Sequence, residues 1–229
     1  MKLSRSFWVA LVSLLLVFWI SETTEVDFWV QDRFFDFKTG QWLIWKDDET
    51  LRLIFYSGAK AVIALFGGGL FFLLLVSWKR GIWIAHRQFF LLVLLSLIVV
   101  PSLTAWIKSV SNVHCPWSIT RYGGEVPKVA VLAPYPADFK SERPGKCFPA
   151  GHPSGGFAFM MLFHAFHSRR ARMVGLWFGI SLGWVMGIYQ MLKGAHYFSH
   201  VIITMLLAWV VIEVINWFVN YLNLRYDKK

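Results

Sequence analysis

The sequence predicts an all-α integral membrane protein with six membrane-spanning helices. The 229-residue chain is 57% hydrophobic, whereas a soluble domain of this size is closer to half apolar. Aromatic residues make up 18%, with 13 Trp and 21 Phe, which is typical of membrane proteins with aromatic belts at both interfaces. Six apolar runs recur along the chain, and most have the length of a bilayer-crossing helix.

The first apolar run, Phe7 to Ile20, follows a short basic start that contains Lys2 and Arg5. A signal peptide is one reading of this pattern. The small-x-small cleavage pattern is missing, so we expect an uncleaved first transmembrane helix. Residues 21–52 then carry eight acidic and four basic residues with aromatic residues between them. We expect helical segments here that lie in the membrane interface.

The second and third spans are predicted over Leu53–Trp78 and Phe89–Ile107. Lys60 lies inside the second span. Charges within a membrane are often functional, but we expect Lys60 to extend toward a nearby interface. The run Gly67-Gly68-Gly69 predicts close packing against another helix.

Residues 109–152 form the longest polar stretch, with six prolines and four glycines before His152. Such a density of helix breakers predicts an ordered loop, and a loop this long is often functional. Three spans follow, at about Gly155–His167, Val174–Leu192 and Val201–Leu222. The fifth span has a glycine at every fourth position, which predicts a helix-packing face, at Gly175, Gly179, Gly183 and Gly187.

The distribution of charge predicts the orientation. Six spans put both termini on one side, where the connecting segments carry eleven basic residues and one acid, Asp227. The segments on the other side, 21–52 and 109–152, carry eleven acids and nine basic residues. The positive-inside rule makes the termini cytoplasmic and those two segments periplasmic in a bacterial inner membrane. The net charge of +10 therefore reflects topology, and we expect no nucleic-acid partner.

The two cysteines of the chain, Cys115 and Cys147, both fall on the predicted periplasmic side. Because that compartment is oxidising, they can form a disulfide, with two unpaired buried thiols as the alternative. A loop of this length contributes about 3–4 kcal/mol in the chain-entropy model. No CxxC motif is present, which disfavours a zinc ribbon or a thioredoxin-like site.

Two glycine-containing stretches on the same side each place a histidine beside an apolar segment. One is Cys147-Phe-Pro-Ala-Gly-His152 and the other is Lys193-Gly-Ala-His196. Glycine lets a backbone approach a ligand closely, and histidine can act as nucleophile or acid near neutral pH. We therefore expect His152 and His196 to meet at this membrane face and to handle a phosphate.

The order and spacing of these residues resemble the type 2 phosphatidic acid phosphatase superfamily. The signature of that family reads K-x6-R-P, P-S-G-H and S-R-x5-H-x3-D. The counterparts here are Lys108 to Cys115-Pro116, then Pro149-Ala150-Gly151-His152, then Tyr189-Gln190 to His196 and His200. The resemblance covers about residues 50 to 220 and agrees with a six-span topology.

This resemblance implies a metal-independent lipid phosphatase with no cofactor. His196 corresponds to the nucleophile that becomes phosphohistidine, and His152 to the acid that protonates the leaving oxygen. Lys108 and the backbone N–H groups around Gly151 correspond to the phosphate-binding groups. Such donors and cations stabilise the charge that develops on a phosphoryl group in transfer.

Four positions depart from the signature. Cys115, Ala150, Gln190 and His200 replace Arg, Ser, Arg and Asp. The Asp of the family accepts a hydrogen bond from the nucleophilic histidine, and we expect His200 to accept that bond through a ring nitrogen. The candidates to replace the lost cations are Lys193, Arg121 and Arg143, with Gln190 retained in the substrate site.

Several alternatives stay open. The i, i+4 pair His196 and His200 is a pattern seen in zinc sites, with His152 or His114 as a third ligand. The four departures are also compatible with a non-catalytic binder of lipid phosphates, and the reaction with a lipid-to-lipid phosphotransferase. A transporter is disfavoured because no inverted repeat is visible. We predict one domain, residues 1–229, that acts on a membrane lipid phosphate; the oligomeric state and the lipid are left open.

Overall fold

The computed structural model describes residues 2–45, 48–80, 87–139 and 143–226. It is 73% helix and 3% strand, which confirms the all-α prediction. Within these residues, five helices are long and apolar enough to cross a membrane. They are Arg5–Thr23, Glu49–Ser77, Arg87–Val110, Arg169–Leu192 and Phe198–Leu222.

These helices agree with five of the six predicted spans. Helix α1 is Arg5–Thr23, and the Ser4 side chain caps its first turn by accepting a hydrogen bond from the Phe7 N–H. The apolar side chains on the outside of the bundle are extensively exposed, with Leu65 at 76%. A soluble protein rarely exposes so much contiguous apolar surface, so a lipid environment accounts for it.

The second membrane helix is built from three consecutive parts. Asp48 caps α3, Glu49–Arg52, by accepting from the Leu51 N–H. A π-helical segment, Leu53–Gly58, follows and leads into α4, Ala59–Arg80. Such π-helical segments frequently occur at functional sites, and this one contains Phe55 and Tyr56.

The predicted fourth span is helical but short. It consists of α6, Gly151–Phe157, a 3₁₀ segment, Ala158–Met161, and α7, Leu162–Ala165. Fifteen residues do not reach across a hydrocarbon core of about 30 Å as an α-helix. Its two ends nevertheless lie near Lys108 and near the N-terminal end of α1, as a crossing segment requires.

The remaining membrane helices are α5, Arg87–Val110, α8, Arg169–Leu192, and α9, Phe198–Tyr226. The glycine face predicted on α8 is confirmed as a packing surface. A Cβ at Gly179 would overlap the Met160 backbone, and a Cβ at Gly183 would overlap the Phe157 ring. Helix α8 therefore lies directly against the short central segment, which is enclosed by α5, α8 and α9.

The glycine run Gly67-Gly68-Gly69 does not pack against a helix, so that prediction is wrong. A Cβ at Gly68 or Gly69 would have open space around it, and a Cβ at Gly67 would meet only the Leu97 side chain, 3.8 Å away. Gly67 and Gly68 instead line a groove between α4 and α5. Sequence spacing alone does not distinguish a helix-facing glycine from a groove-facing one.

Two polar segments cover one end of the bundle. The first, after α1, contains α2, Val26–Gln31, and a hairpin of strands β1, Phe35–Asp36, and β2, Gln41–Trp42. Short helical pieces were predicted here, whereas the hairpin was not. The second is the loop that follows α5, with 3₁₀ turns at Pro116–Ser118 and Thr120–Tyr122.

Hydrogen bonds join these two covering segments to each other. Arg121 donates two hydrogen bonds to the Asp32 carboxylate, at 2.9 and 2.6 Å, and the Tyr122 hydroxyl donates to the same carboxylate at 2.8 Å. The Glu22 carboxylate accepts from the backbone N–H groups of Val131 and Leu132. The long loop is therefore an ordered part of the fold.

At the opposite end of the bundle, a polar cluster joins three parts of the chain. The Ser4 hydroxyl donates to the buried Glu213 carboxylate at 2.8 Å, and His164 Nε2 lies 3.3 Å from its other oxygen. Glu213 on α9 therefore has polar partners. Parts of the predicted cytoplasmic surface, residues 81–86 and 227–229, lie outside the described residues, as do 46–47 and 140–142 of the covering segments.

Candidate active site

His152 lies at the start of α6 with one of its ring nitrogens engaged. Nε2 lies 2.6 Å from the carbonyl oxygen of Phe55. Since a carbonyl only accepts, Nε2 carries a proton in this contact. The ring stacks on Tyr56, with centroids 4.5 Å apart and planes at 18°. Nδ1 is buried and has no hydrogen-bond partner in the described part of the chain, so it is the nitrogen left for a ligand.

The turn that precedes His152 is fixed between α5 and α9. The Ser111 hydroxyl donates to the Phe148 carbonyl at 2.6 Å. The Thr204 hydroxyl donates to the Ala150 carbonyl at 3.1 Å, and the Ala150 N–H donates to the His200 carbonyl at 3.4 Å. Ala150 is thus buried against α9 in place of a hydroxyl-bearing residue, and its backbone ties the two histidine-bearing segments together.

His196 lies in the link between α8 and α9 and is only 3% exposed. Its Nδ1 is 3.5 Å from Cys147 Sγ. Burial, followed by the positive charge of Lys108, lowers the pKa of His196 well below its usual range. The imidazole is therefore neutral at pH 7, which is the form a nucleophile needs.

The link that carries His196 is shaped by Gly194. Gly194 has φ +71°, a conformation that glycine adopts without steric cost. Trp42 packs so closely that a Cβ at residue 194 would overlap its ring. The Trp117 N–H donates to the Gly194 carbonyl at 3.0 Å. Both covering segments therefore hold the turn before His196.

His200 does not take the place of the missing carboxylate in the way the sequence predicted. Its Nδ1 lies 3.1 Å from the carbonyl oxygen of Cys147, and its ring centroid is 6.0 Å from that of His196. His200 therefore fixes the Cys147 backbone, and Cys147 is what contacts His196. His196 precedes the first residue of α9, so the i, i+4 spacing does not place the two rings on one face of a helix.

The disulfide between Cys115 and Cys147 is present, with Cα atoms 5.1 Å apart, as the compartment argument predicted. Cys147 Sγ also lies 3.0 Å from the carbonyl oxygen of Ala195, and the Cys147 N–H donates to the Val113 carbonyl at 2.8 Å. The cysteine that replaces the signature arginine therefore crosslinks the loop to the residue beside His196.

Donor atoms of Cys147, His196 and His200 lie within 4.8 Å of one another, so the three residues have the spacing of metal ligands. Zinc binds cysteine as the thiolate. The Cys147 sulfur is bonded to Cys115 and has no thiolate to offer. The third ligands considered from sequence, His152 and His114, are not part of this cluster.

The predicted phosphate-binding residues divide into two groups. Lys108, in the last turn of α5, lies beside Gly151, since a Cβ there would be 3.7 Å from its Nζ. Lys193 Nζ is 4.7 Å from the Tyr189 ring centroid and 5.5 Å from that of Tyr56. Both lysines act electrostatically on His152, so the structure brings them to the site. Gln190, three residues before Lys193 in the sequence, is buried, and its Nε2 has no hydrogen-bond partner among the described residues.

The two predicted arginines are placed differently. Arg121 forms the ion pair with Asp32 and lies over the Phe28 ring, 4.7 Å from its centroid. Asp32 is thereby stabilised as a carboxylate, and its pKa is lowered mainly by the hydrogen bond from Arg121. Arg143 is exposed in the covering loop. The structure therefore uses Arg121 to join the covers.

Three residues near the site were not among the sequence-predicted site residues. Tyr56 stacks on His152, and Lys60 Nζ lies 4.0 Å from the Tyr56 ring centroid. Asp27 accepts hydrogen bonds from the N–H and hydroxyl of Ser199, at 2.8 and 2.6 Å, so it caps α9. Burial raises the pKa of Asp27 despite these bonds. Of these three residues, only Lys60 is marked in the sequence, because a lysine within an apolar run is often functional.

An apolar groove of about 520 Å³ leads away from His152 between α4 and α5. Its polar end contains Lys60, Gly151 and His152. Its walls are formed mainly by apolar side chains and by glycine, including Ile63, Ala64, Gly67, Gly68, Phe71, Leu94, Leu97 and Ile98. The groove therefore has the composition expected for a hydrocarbon chain attached to a polar head group.

A family model described as the PAP2 superfamily matches residues 89–224, which is more than half of the chain and includes both histidine turns and Lys108. The chain belongs to the PAP2 superfamily. No curated protein and no solved structure gives a match.

Membership of the PAP2 superfamily supports a phosphatase-type activity. The match begins in α5 and ends in α9, so α1, the hairpin segment and α4 lie outside it. Tyr56, Lys60 and most of the groove wall on α4 therefore belong to the part of the chain beyond the matched segment. From outside the matched segment, Tyr56 stacks on His152 and Trp42 packs on the turn before His196.

Proposed function

We propose that this protein hydrolyses a lipid phosphate or diphosphate at the periplasmic face of a bacterial inner membrane, with His196 as the nucleophile. One observation carries the proposal. The apolar groove between α4 and α5 ends at His152 and Gly151, which are residues of the phosphatase signature. A phosphate at this end of the groove would have its hydrocarbon chain within the membrane region.

In the proposed reaction, the His196 Nε2 lone pair forms a bond to phosphorus, because Nδ1 faces Cys147. The bond between phosphorus and the leaving oxygen breaks, and that oxygen takes the Nδ1 proton of His152, which enters the reaction as an imidazolium and keeps its other proton on Nε2, against the Phe55 carbonyl. Burial lowers the pKa of His152 to about 4, so the negative charge of the bound phosphate is what stabilises this protonated form. Water then attacks the phosphohistidine, the N–P bond breaks, and a proton of the water returns to His152. Inorganic phosphate and a dephosphorylated lipid leave.

Lys108 and the N–H groups at the start of α6 are the proposed ligands of the phosphoryl oxygens. Lys108 Nζ lies beside Gly151, which opens the helix. A cation and fixed donors placed on the peripheral oxygens lower the barrier to phosphoryl transfer. No residue in this scheme requires a metal ion, so activity should persist in chelator.

The periplasmic location rests on the charge asymmetry of the segments between helices. His152, His196 and the disulfide all lie on the side of the covering segments. A stable disulfide is compatible with an oxidising compartment. Lateral entry of a membrane lipid is favoured by the position of the groove between two lipid-exposed helices.

A non-catalytic lipid-phosphate binder is the second candidate. The observation that favours it is the arrangement around His196, where a sulfur and not a carboxylate faces Nδ1. A sulfur is a weak acceptor and carries no charge to stabilise an imidazolium. This candidate predicts binding without release of inorganic phosphate.

The test is phosphate release by purified protein in mixed micelles that contain a polyprenyl diphosphate, its monophosphate or phosphatidate, with and without chelator. We expect release by the wild type and a loss of at least about a thousandfold in His196→Ala, as expected when a nucleophile is removed. His152→Ala should also be strongly impaired. His167→Ala is the matched control, because His167 is exposed at the other end of the bundle.

Trapping of the intermediate separates the two candidates further. Brief incubation with substrate labelled in its terminal phosphate should give an acid-labile, base-stable phosphoprotein that is absent from His196→Ala. If binding is retained but no lipid phosphate is turned over, the hydrolase proposal is wrong and the binder is correct. Loss of activity in chelator that zinc restores would contradict the metal-independent mechanism.

A further inference from the structure

Two further lysines, Lys60 and Lys193, meet at the aromatic ring that stacks on His152. Lys60 Nζ is 4.0 Å from the Tyr56 ring centroid and Lys193 Nζ is 5.5 Å from it, and the same ring stacks on His152. Lys60 lies in α4 and Lys193 directly follows α8, so the two lysines are separated by more than a hundred residues in sequence.

The three lysines of the site are not equivalent with respect to the two histidines. Lys108 is among the charges that act most strongly on His196, and Lys60 and Lys193 are not. All three act on His152 and on Tyr56. The charge of Lys108, beside Gly151, therefore acts on both histidines, whereas Lys60 and Lys193 lie at the ring that stacks on His152.

Lys60 also lines the apolar groove, together with His152 and Gly151. The polar end of the groove thus contains a cation between the histidine and the hydrocarbon walls. Lys60 extends back along its helix to Tyr56, four residues nearer the interface, so the snorkelling expected from sequence is what brings its Nζ to the aromatic ring beside His152. A cation placed there is suited to an anionic group between the scissile bond and the lipid chain.

We propose that Lys60, Lys193 and Tyr56 bind the inner phosphate of a lipid diphosphate, so that the substrate is a diphosphate carried on a long hydrocarbon chain. This inference rests on the proposed function and selects among its substrates. The terminal phosphate lies at Lys108 and Gly151, the inner phosphate at Lys60 and Lys193, and the chain in the groove.

In this reaction the two lysines would stabilise the negative charge of the leaving group. When His196 attacks the terminal phosphorus, the bond to the bridging oxygen breaks and its electron pair stays on that oxygen. The leaving group is then a lipid monophosphate, which gains negative charge as the bond breaks. His152 supplies a proton to it, and the two lysines stabilise its remaining charge. A monophosphate substrate has an alcohol as its leaving group and does not use the pair in this way.

The same lysines replace part of the charge that the signature arginines would supply. Cys115 and Gln190 stand at the two arginine positions, and neither carries a positive charge. Apart from Lys108, the lysines at the site are Lys60 and Lys193, which lie at the ring that stacks on His152. Relative to the family signature, positive charge is lost near the terminal phosphate and gained near the inner phosphate. This change is expected if the leaving group is itself an anion.

The experiment compares kcat/KM for a polyprenyl diphosphate with that for the monophosphate of the same chain, in wild type, Lys60→Met and Lys193→Met. We expect each variant to lose roughly ten- to a hundredfold on the diphosphate and about threefold or less on the monophosphate, as for loss of a charge-assisted hydrogen bond used by one substrate. Tyr56→Phe should show a smaller loss with the same selectivity. Retained monophosphate turnover shows that the variants are folded.

Lys38→Met is the matched control, because it removes a lysine from the exposed hairpin turn on the same side of the bundle. It should not change the ratio of the two kcat/KM values. Inorganic diphosphate serves as a further substrate, and we expect it to be hydrolysed much less efficiently than the lipid, because it cannot use the groove.

Equal losses on both substrates, or no loss in Lys60→Met, would overturn the inference while leaving the phosphatase intact. Hydrolysis of inorganic diphosphate as efficient as that of the lipid would overturn the lipid part. Failure of the wild type to release phosphate from either lipid would instead contradict the proposed function itself, and the two failures are therefore distinguishable.

Discussion

Nδ1 of His196 lies 3.5 Å from the Sγ of Cys147, and the disulfide partner of Cys147 occupies the position of a signature arginine. The crosslink thus connects the end of α5, the turn before α6 and the link before α9. His200 holds the backbone of the same cysteine through a contact of 3.1 Å. His196 is therefore positioned by non-covalent contact with a residue that is itself held by a disulfide.

Removal of this disulfide should reduce both stability and turnover. For Cys115→Ser/Cys147→Ser we expect a loss of about 3–4 kcal/mol in the free energy of unfolding in the chain-entropy model. We also expect a lower kcat, since His196 loses the contact that orients it. Thermal unfolding and phosphate release without reductant measure the two effects. A dithiol should have the same effect on the wild type and none on the double variant; unchanged kcat in both would contradict the positioning role.

The pH dependence of activity should have its acid limb below the ordinary range of histidine. Burial and Lys108 lower the pKa of His196 from a usual value of about 6.5. The folded protein keeps this ring neutral, whereas the unfolded chain takes up a proton below that pH, so stability decreases as the pH falls below about 6.5. We expect kcat/KM at pH 6 to remain close to its value at pH 7.

Measurement of kcat/KM between pH 4.5 and 8, with the folded fraction followed at each pH, tests this. A half-maximal value at about pH 6.5 or higher would show that the nucleophile titrates like an exposed histidine. Such a result would contradict the burial of His196 and would require an open active site in solution.

Gly194→Ala should destabilise the protein more than Gly40→Ala. Both glycines have positive φ, at +71° and +67°, but a Cβ at Gly194 would overlap the Trp42 ring and a Cβ at Gly40 would have open space. The positive φ by itself costs an alanine about 1–2 kcal/mol at either position. The difference in the free energy of unfolding between the two variants therefore reports the Trp42 contact. Adding Trp42→Ala to Gly194→Ala should recover part of that difference in a double-mutant cycle. Equal losses in the two single variants would contradict the packing of Trp42 on this turn.

Filling the groove should impair hydrolysis of long-chain substrates selectively. Gly68 lines the groove and Gly69 does not, while neither has a neighbour within 4 Å of a Cβ. We expect Gly68→Leu to raise the KM for a long-chain lipid phosphate and to leave a short-chain, water-soluble analogue much less affected. Gly69→Leu should resemble the wild type with both substrates. Identical behaviour of the two leucine variants would show that the chain binds elsewhere.

The helices and the main catalytic candidates were largely predictable because their signals are local. Apolar runs such as Phe89–Ile107 have about the length that a bilayer-crossing helix needs, and the extent of α5 agrees within a few residues. The spacing of Lys108, His152 and His196 was visible in the chain. The fourth span was less predictable, because a short segment enclosed by other helices lacks the continuous apolar surface that identifies a lipid-facing helix.

Contacts between distant segments were not predictable in the same way. Arg121 was a candidate for the phosphate, but it pairs with Asp32, which lies 89 residues earlier. Lys60 is predicted to extend toward the interface and does reach back one helical turn to Tyr56, but only the fold shows that this ring stacks on His152. A charged side chain takes whichever partner the tertiary fold supplies, and the sequence contains several equally reasonable partners for each one.

The sequence by itself determined that this is a helical membrane protein, which family it resembles, and which two histidines are its catalytic candidates. Periodicity, hydropathy and short spacings carry that information within single segments. Only the tertiary structure decided that Cys147 faces His196, that His200 holds Cys147, and that Lys60 and Lys193 meet at Tyr56. These relationships depend on the packing of α4, α8 and the covering loop around the two histidine turns, and packing over such sequence distances is set by the fold as a whole.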